Sequence, residues 1–464
     1  RMRHVWILPL LILFLINQST QTTPKPQQPH YRDGVHNDKY VHVSAESFDE
    51  ENVKLFKFSE AVWQGIEDSG HEMWTKEFPL ESVAPGVGFL FTFGNIIAVD
   101  TSDGLVIFDT ASVLFANDNF DHIRKWSTKP VHTIVLTHGH VDHVFGIHPF
   151  DEEAIKNNWT LPRVVAHEDM IRRFERYTLT KRYVAKINAR QFEGEDSESL
   201  EYPVDFRYPD LLYQHNLTLT IGGVEFHLFH AKGETDDATW TWIPKHQAVV
   251  TGDLFIWSTP NAGNPQKVQR FAADWAQALR DMAKFSPKLL LPGHGPPLVG
   301  QNRIYEALVT TADFLQSLVD QTVELMNKGY TLNQILHTVQ VPEKYKSKTY
   351  LKPSYDEPEF IVRNVWRLYG GWWDLNPANL KPPRDDLLAQ QWCNLAGGVS
   401  YIVSQAETLA KEEQLDLATS LIETAYKCAP ENVQVLKSYV KILSQRSEHS
   451  SVTSLMAPGN FPSA

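Results

Sequence analysis

Cysteine is scarce in this chain, with two positions, Cys393 and Cys428, among 464 residues. Two cysteines exclude a disulfide framework and a zinc site built from cysteine ligands. The sequence alone leaves open whether they form one bridge between two helices or stay as buried thiols. Basic charge is also in deficit, since the formal net charge is −13. Nucleic-acid phosphates need a basic surface, so this charge argues against a nucleic-acid partner.

Long apolar runs are missing outside the N-terminus. Residues 5–16, VWILPLLILFLI, form an apolar run that is short for a membrane span and typical of a signal peptide. The polar, proline-rich residues that follow predict a disordered linker. We predict a signal peptide over residues 1–20, a linker over 21–34, no stable membrane span and a secreted or secretory-lumen protein; an uncleaved anchor is the alternative. Sequons at Asn158 and Asn216 predict glycosylation of such a protein.

The central part of the chain alternates strand and helix signals. Residues 86–110, GVGFLFTFGNIIAVDTSDGLVIFDT, predict three short strands joined by tight turns. VHTIVLT then predicts a buried strand that ends at His138. Similar apolar segments recur up to about residue 300. These patterns predict an α/β domain with mixed sheets over residues 35–300.

Helical spacing of apolar residues replaces this alternation in the last third of the chain. A long helical segment is expected to stop at Gly329. The segment from Leu395 onward predicts a two-helix hairpin broken at Pro430. Residues 301–464 therefore predict an all-α domain.

One stretch, VLTHGHVDHVFG at residues 135–146, crowds three histidines and an aspartate into six positions. Their spacing fits neither a helix face nor a strand face, and it is typical of a loop on which side chains converge. Three further candidates follow apolar strands in HAKGETDD, TGDLF and PGHG. Imidazoles and carboxylates suit zinc first, and seven ligands need two ions. The candidate metal ligands are His138, His140, Asp142, His143, Glu234, Asp253 and His294.

The order H-x-H-x-D-H, ligand loop, TGD and PGHG resembles the metallo-β-lactamase superfamily of binuclear hydrolases. The resemblance implies an αββα sandwich with the metals at the edge of the sheets. It implies one ion held by His138, His140 and Glu234, a second held by Asp142, His143 and His294, and Asp253 as the bridge. It also assigns Asp142 to catalysis. Two divalent ions per chain are thus expected, and the extra carboxylate of Glu234 makes Mn²⁺ or Fe²⁺ alternatives to Zn²⁺.

Glu234 stands where most members of the superfamily have a histidine. Three features resemble the alkylsulfatase branch of the superfamily: this glutamate, the segment STPNAGNPQKVQRFAADW after GDLF, and residues 355–380. That resemblance implies a C-terminal helical dimerisation domain, a homodimer, and sulfate-ester hydrolysis by a metal-activated water. His230, four residues earlier, is expected to be a packing residue at the end of a strand.

A near-neutral binuclear site needs cationic or amide groups to hold a sulfate. The candidate substrate-binding residues in the loop after the bridging aspartate are Asn261, Asn264, Lys267 and Arg270. Two alternatives stay open: a hydrolase of the same fold acting on lactones, thioesters or phosphoesters, and a catalytically silent dimeric interaction protein. The seven candidate ligands argue against the silent protein.

Overall fold

The computed structural model describes residues 50–67, 78–191 and 201–451. The predicted signal peptide and linker lie outside these residues. The chain divides into two compact units. Unit 1 comprises Arg1–Ala185, Ser197–Trp257 and Asp274–Ala312, and unit 2 comprises Lys186–Asp196, Ser258–Ala273 and Asp313–Ala464. The domain boundaries drawn from the sequence stay a prediction.

The described part of unit 1 contains two mixed sheets. The first sheet has the order β1 (Glu81–Ala84), β2 (Val87–Leu90), β3 (Ile96–Thr101), β4 (Gly104–Phe108), β5 (Val131–Val135), β6 (Arg163–His167) and β7 (Leu211–Tyr213). The second has the spatial order β13 (Leu298–Val299), β12 (Leu289–His294), β11 (Ala248–Ile256), β10 (Ala238–Ile243), β9 (Val224–Ala231) and β8 (Asn216–Ile221).

Strand direction changes inside each sheet. The strands from β1 to β4 run antiparallel, whereas β4 to β7 run parallel. In the second sheet the pair β11 and β12 is parallel and its other pairs are antiparallel. The predicted strands of residues 86–110 are β2, β3 and β4, joined by turns at FGN and TSDG. Every residue of β4 and β11 is buried, as expected for strands covered on both faces.

Fifteen α-helices occur among the described residues. They are α1 (Lys54–Trp63), α2 (Ala116–Trp126), α3 (Val141–Val144), α4 (His148–Lys156), α5 (Asp169–Gln191), α6 (Ala272–Lys284), α7 (Gln301–Asn327), α8 (Leu332–Leu336), α9 (Glu343–Lys346), α10 (Pro358–Gly370), α11 (Pro377–Leu380), α12 (Asp385–Leu395), α13 (Val399–Lys411), α14 (Leu415–Cys428) and α15 (Val433–Ser451). Of the helices described, none has the length and apolar character that a bilayer span requires.

The two sheets of unit 1 face each other across a shared core, with helices on the outside. Phe108 of β4 and Phe226 of β9 meet with ring centroids 6.0 Å apart. On one outer side, Trp126 of α2 lies so close to β2 that a Cβ at Gly88 would come within 3.0 Å of its ring. On the other, Trp275 of α6 donates from Nε1 to the carbonyl oxygen of Leu254 at 2.6 Å. The predicted αββα sandwich is confirmed.

From residue 301 on, the described residues contain helices and no strand, as predicted. One apolar cluster forms around Ile335, Val362 and Trp366. A second, larger cluster is built from residues of α12, α13, α14 and α15. Gly329 adopts a φ of +79° just beyond α7, which is the helix stop expected from the sequence.

The predicted two-helix hairpin after Leu395 is wrong, because the structure forms three helices there, α13 to α15. The unexpected break lies at Glu413, which adopts a φ of +60° and donates its amide to Ala410 at 3.3 Å. No glycine or proline marks this turn, so the sequence hides it. A disulfide joins Cys393 of α12 to Cys428 of α14, across a Cα separation of 6.7 Å.

Candidate metal centre

The histidine-rich stretch follows β5 and enters a short helix. His138 is the third residue after the end of β5, and His140 is at the N-cap position of α3. Asp142 and His143 lie within α3 itself. The loop and the helix turn give the four side chains no common face, so they converge from irregular backbone as the spacing predicted.

The other three candidate ligands come from the second sheet. Glu234 lies in the loop between β9 and β10, and His294 is the last residue of β12. Asp253 was expected after an apolar strand but lies inside β11, which continues to Ile256. A register irregularity on both sides of Gly252, whose φ is +49°, allows β11 to continue and still turn Asp253 toward the histidines.

These seven side chains form two groups. The ligand atoms of His138, His140, Glu234 and Asp253 all lie within 4.8 Å of one another, as do those of Asp142, His143 and His294. In the first group His138 Nε2 lies 2.9 Å from His140 Nδ1, 3.8 Å from Glu234 Oε2 and 3.6 Å from Asp253 Oδ2.

Asp253 contacts both groups. Its Oδ1 lies 3.4 Å from His143 Nε2, and its Oδ2 lies 3.2 Å from His294 Nε2. The same Oδ2 is the atom 3.6 Å from His138 Nε2. Asp142 Oδ2 completes the second group at 3.3 Å from His294 Nε2. This placement suits a carboxylate that is shared between two ions.

The donor set fits divalent ions. Zinc bonds of about 2.0–2.1 Å place neighbouring ligand atoms of a tetrahedron about 3.3 Å apart, close to the separations above. Two of the ligand atoms, His143 Nε2 and Asp253 Oδ1, are buried and make no hydrogen bond among the described residues. Buried polar atoms normally have a partner, so the pair is consistent with a cation between them.

The protonation of the cluster is uneven. Burial, together with the nearby His143, lowers the pKa of His138 to about 4. Burial also disfavours a charged His294, but the carboxylates of Asp253 and Asp142 outweigh it and raise its pKa to about 10. Burial would raise the pKa of Asp253, yet the neighbouring histidines, His294 foremost, hold it well below its usual range. Ion binding at His294 must therefore release a proton, so metal affinity rises with pH.

Asp109 was not predicted from the sequence, and it hydrogen-bonds to one of the candidate ligands, His143. It follows β4, adopts a φ of +57° and is buried. Its Oδ2 accepts from His143 Nδ1 at 2.8 Å and from the Thr137 hydroxyl at 2.7 Å. Its Oδ1 accepts from the Thr137 amide at 2.7 Å. The pattern in FDT, an acid directly after a buried strand, is the signal that could have found it.

These hydrogen bonds select the histidine tautomers. Because Asp109 accepts from His143 Nδ1, the neutral form of that ring, which is the form that binds a metal, has its lone pair on Nε2, which faces Asp253. The Thr137 hydroxyl gives its one proton to Asp109, so it accepts from His138 Nδ1 at 3.0 Å. His138 then also presents an unprotonated Nε2 to its group. Both rings are held as metal-binding histidines usually are.

Asn95 is a second supporting residue that the sequence did not reveal. Its side-chain amide donates to the carbonyl oxygens of Pro292 and Gly295 at 3.0 and 2.8 Å. Its backbone amide donates to the carbonyl oxygen of Gly293 at 2.8 Å. These bonds hold the PGHG turn on both sides of His294. An isolated asparagine in a turn carries no pattern that points to this role.

The four candidate substrate-binding residues lie in unit 2, whereas all seven candidate metal ligands lie in unit 1. Asn261, Asn264 and Arg270 are buried and Lys267 is partly buried. Lys267 Nζ hydrogen-bonds to Asn188 Oδ1, and Asn264 Oδ1 accepts from the Gln266 amide at 3.1 Å. Their role toward substrate stays a prediction.

A third cluster in unit 1 pairs His167 and His230 beside Asp169. The two imidazole rings are stacked, with centroids 3.6 Å apart and an interplanar angle of 9°. Nitrogen lone pairs lie in the ring plane, so two parallel rings cannot both point at one ion. His230 Nε2 also donates to the carbonyl oxygen of Asp236 at 2.8 Å. We therefore interpret His230 as a packing residue.

Comparison with known families gives two matches along the chain. Residues 90–294 match the metallo-beta-lactamase superfamily, and residues 331–456 match the alkyl sulfatase dimerisation family. The first match spans all seven candidate ligands.

Sulfatases are among the individual proteins with similar sequences. A linear primary-alkylsulfatase of Pseudomonas sp. is 26% identical over 66% of this chain and 62% of its own length. An alkyl/aryl-sulfatase of Saccharomyces cerevisiae is 24% identical over 76% of this chain and 58% of its own length. The chain thus spans about three fifths of these relatives. Its fold is similar to that of the stereoselective inverting sec-alkylsulfatase Pisa1 from Pseudomonas sp., with a TM-score of 0.72, 21% identity, and coverage of 82% of this chain and 64% of that one.

Proposed function

We propose that this chain, which joins a metallo-β-lactamase superfamily domain to an alkyl sulfatase dimerisation domain, is a metal-dependent hydrolase of sulfate esters. The observation that carries the proposal is Asp253, whose carboxylate contacts both histidine groups: Oδ2 lies near His138 of the first group and His294 of the second, and Oδ1 lies near His143 of the second. Such a carboxylate is what a two-ion centre requires. The sulfatase relatives, which match 66% and 76% of this chain, support the substrate class.

The candidate ligands form two groups that share one carboxylate. The first group, with Glu234, and the second group, with Asp142, each bring imidazoles and one carboxylate, and Asp253 is shared. Bound divalent ions lower the pKa of water and withdraw charge from an ester oxygen. Asp109 and Thr137 keep His143 and His138 in the tautomers that leave their Nε2 atoms available.

Charge balance bears on the identity of the ions and on substrate binding. Two divalent ions contribute a charge of about +4, and the carboxylates of Asp142, Glu234 and Asp253 contribute about −3. A bound hydroxide adds about −1, so the net charge of the site is near zero. A near-neutral site attracts a sulfate weakly, which is why we assign sulfate binding to Asn261, Asn264, Lys267 and Arg270 as a group. Zinc is the proposed ion, and the third carboxylate favours Mn²⁺ or Fe²⁺ as alternatives.

Metal content tests the binuclear centre directly. Elemental analysis of protein purified without chelators should find close to two transition-metal ions per chain. Asp253→Asn should lower this content, whereas Asp281→Asn, a change at an exposed ion pair with Lys284 on α6, should not. A folded wild-type protein with no bound ion would end the proposal.

Substrate turnover tests the reaction. Metal-replete protein should release inorganic sulfate from a medium-chain alkyl sulfate, and a chelator should abolish the release. Parallel assays with a lactone, a thioester and a phosphoester examine the alternative hydrolases. Turnover of one of those esters without sulfate release would replace the sulfatase proposal and leave the metal centre standing. A metal-loaded protein inactive on all four would favour the silent interaction protein.

We further propose that the protein is secreted. Disulfides persist in oxidising compartments, and one joins Cys393 to Cys428. Both sequon asparagines, Asn158 and Asn216, are exposed to solvent. Protein from a eukaryotic expression host should therefore shift in mobility on endoglycosidase treatment. An unglycosylated product in the cytosol would overturn the proposal.

We also propose that unit 2 mediates a homodimer. The family that matches residues 331–456 is described by dimerisation. Within the described residues, α12 and α13 expose the large apolar side chains of Trp392, Leu395 and Tyr401, which a second copy would cover. Light scattering of the purified protein should give twice the mass of the mature chain. A monomer at micromolar concentration would contradict the proposal.

A further inference from the structure

A buried carboxylate links the two loops that carry the first metal group. Asp237 lies in the Glu234 loop, and its Oδ2 accepts the backbone N–H of Gly139 at 3.0 Å. Gly139 is the residue between the two histidines of that group. The other oxygen of Asp237 accepts from Arg173 Nε of α5 at 2.9 Å. One carboxylate thus holds the histidine loop, the Glu234 loop and α5 together.

Two carboxylates hold the Arg173 side chain in this arrangement. Its side chain is buried, and its guanidinium also hydrogen-bonds to Asp236, so it bridges two successive carboxylates of the Glu234 loop. Burial disfavours the charged form of both residues. Asp237 nevertheless keeps the pKa of Arg173 above its usual value, and Arg173 keeps the pKa of Asp237 below its usual value. Both groups are therefore ionised, and each depends on the other for compensation.

The pair also contacts the histidine loop sterically. A Cβ at position 139 would lie 2.6 Å from Arg173 Cδ and 3.1 Å from Asp237 Oδ2. Gly139 does not occupy the left-handed φ region. This contact, and not the backbone conformation, is therefore what requires a glycine between the two histidines.

We propose that Arg173 and Asp237 are positioning residues for the first metal group. They fix the backbone between His138 and His140 against the loop that carries Glu234, and so hold the three ligands at chelating separation. The inference rests on the proposed metal-dependent function. It adds a selective consequence, because the ligands of the second group lie outside these two loop segments: Asp142 and His143 are in α3, and His294 ends β12.

Zinc affinity measures this role without any substrate. Competition between the protein and a chromophoric chelator should resolve two zinc ions in the wild type. Arg173→Met should weaken one of them about 10- to 100-fold, the usual effect of removing an outer-shell partner. The zinc affinity of Arg173→Lys should lie between those of the wild type and Arg173→Met, since one ammonium cannot bridge both carboxylates as the guanidinium does. Arg172→Met is the matched control, because that side chain is 85% exposed, and it should bind zinc as the wild type does.

Two further variants keep the test decisive if Arg173→Met does not fold. Asp237→Asn removes the charge that Arg173 needs, and Gly139→Ala introduces the Cβ that Arg173 excludes. Both should weaken the same zinc ion, with near-ultraviolet circular dichroism showing a folded protein. Wild-type affinity for both ions in folded Asp237→Asn and Gly139→Ala would overturn the inference. A wild-type protein that binds no divalent transition-metal ion would instead overturn the proposed function, and this inference with it.

Discussion

Replacing Asp109 by asparagine should weaken zinc binding at the second metal group. In the wild type, Asp109 accepts three hydrogen bonds, from His143 Nδ1 at 2.8 Å and from the hydroxyl and amide of Thr137 at 2.7 Å each. Together they keep the proton of His143 on Nδ1 and leave Nε2 for the ion. Asparagine has one acceptor oxygen in place of two, so it cannot accept all three bonds.

Either orientation of the new amide has a cost. With its oxygen on the Thr137 amide, its NH₂ group faces His143 Nδ1, which must then accept, and the histidine proton moves to the metal-binding Nε2. With the amide reversed, two N–H groups meet at Thr137, and a buried unsatisfied donor costs about 1–3 kcal/mol. We expect zinc affinity to fall about 10- to 100-fold, equivalent to about 1.4–2.8 kcal/mol.

Chelator competition measures the zinc affinity, and thermal unfolding of the metal-free protein measures the structural cost. Asp103→Asn is the control, because Asp103 also accepts a backbone amide, that of Gly222 at 2.9 Å, but does so in an exposed turn. It should leave zinc binding unchanged. Wild-type zinc affinity and an unchanged unfolding temperature in Asp109→Asn would refute the tautomer argument.

Three other predictions follow from single residues. Glu234→Ala should lose metal and activity while His230→Ala keeps most of both, and the reverse would show that the ligand loop is misassigned. Arg270→Ala should raise KM or lower kcat for sulfate esters and spare neutral esters; equal losses on both would remove Arg270 from sulfate binding. Burial raises the pKa of Asp356 to about 7, so the folded state binds this proton more tightly than the unfolded state. The free energy of unfolding should then fall between about pH 4 and 7 by up to about 4 kcal/mol, and Asp356→Asn should flatten that dependence.

Much of the fold followed from local patterns. The alternation of residues 86–110 predicted three strands, and Gly329 predicted the end of α7, because burial periodicity and glycine stereochemistry act over a few residues. The same reasoning missed the break at Glu413, since a non-glycine residue in the left-handed region leaves no compositional mark. The apolar pattern also predicted that the strand ends before Asp253. In the structure β11 continues past the bulge at Gly252 as far as Ile256.

By itself the sequence determined which residue types were available for metal chemistry and in what order they follow their strands. Only the tertiary structure decided which partners support them. His143 meets Asp109 across 34 positions, and Asn95 meets the turn around His294 across about 200. Arg173 reaches Asp237 from a helix whose sequence carries no metal-related pattern. Motif spacing records contacts within one loop, whereas these hydrogen bonds depend on which strands are neighbours, and that is set by the packing of the whole core.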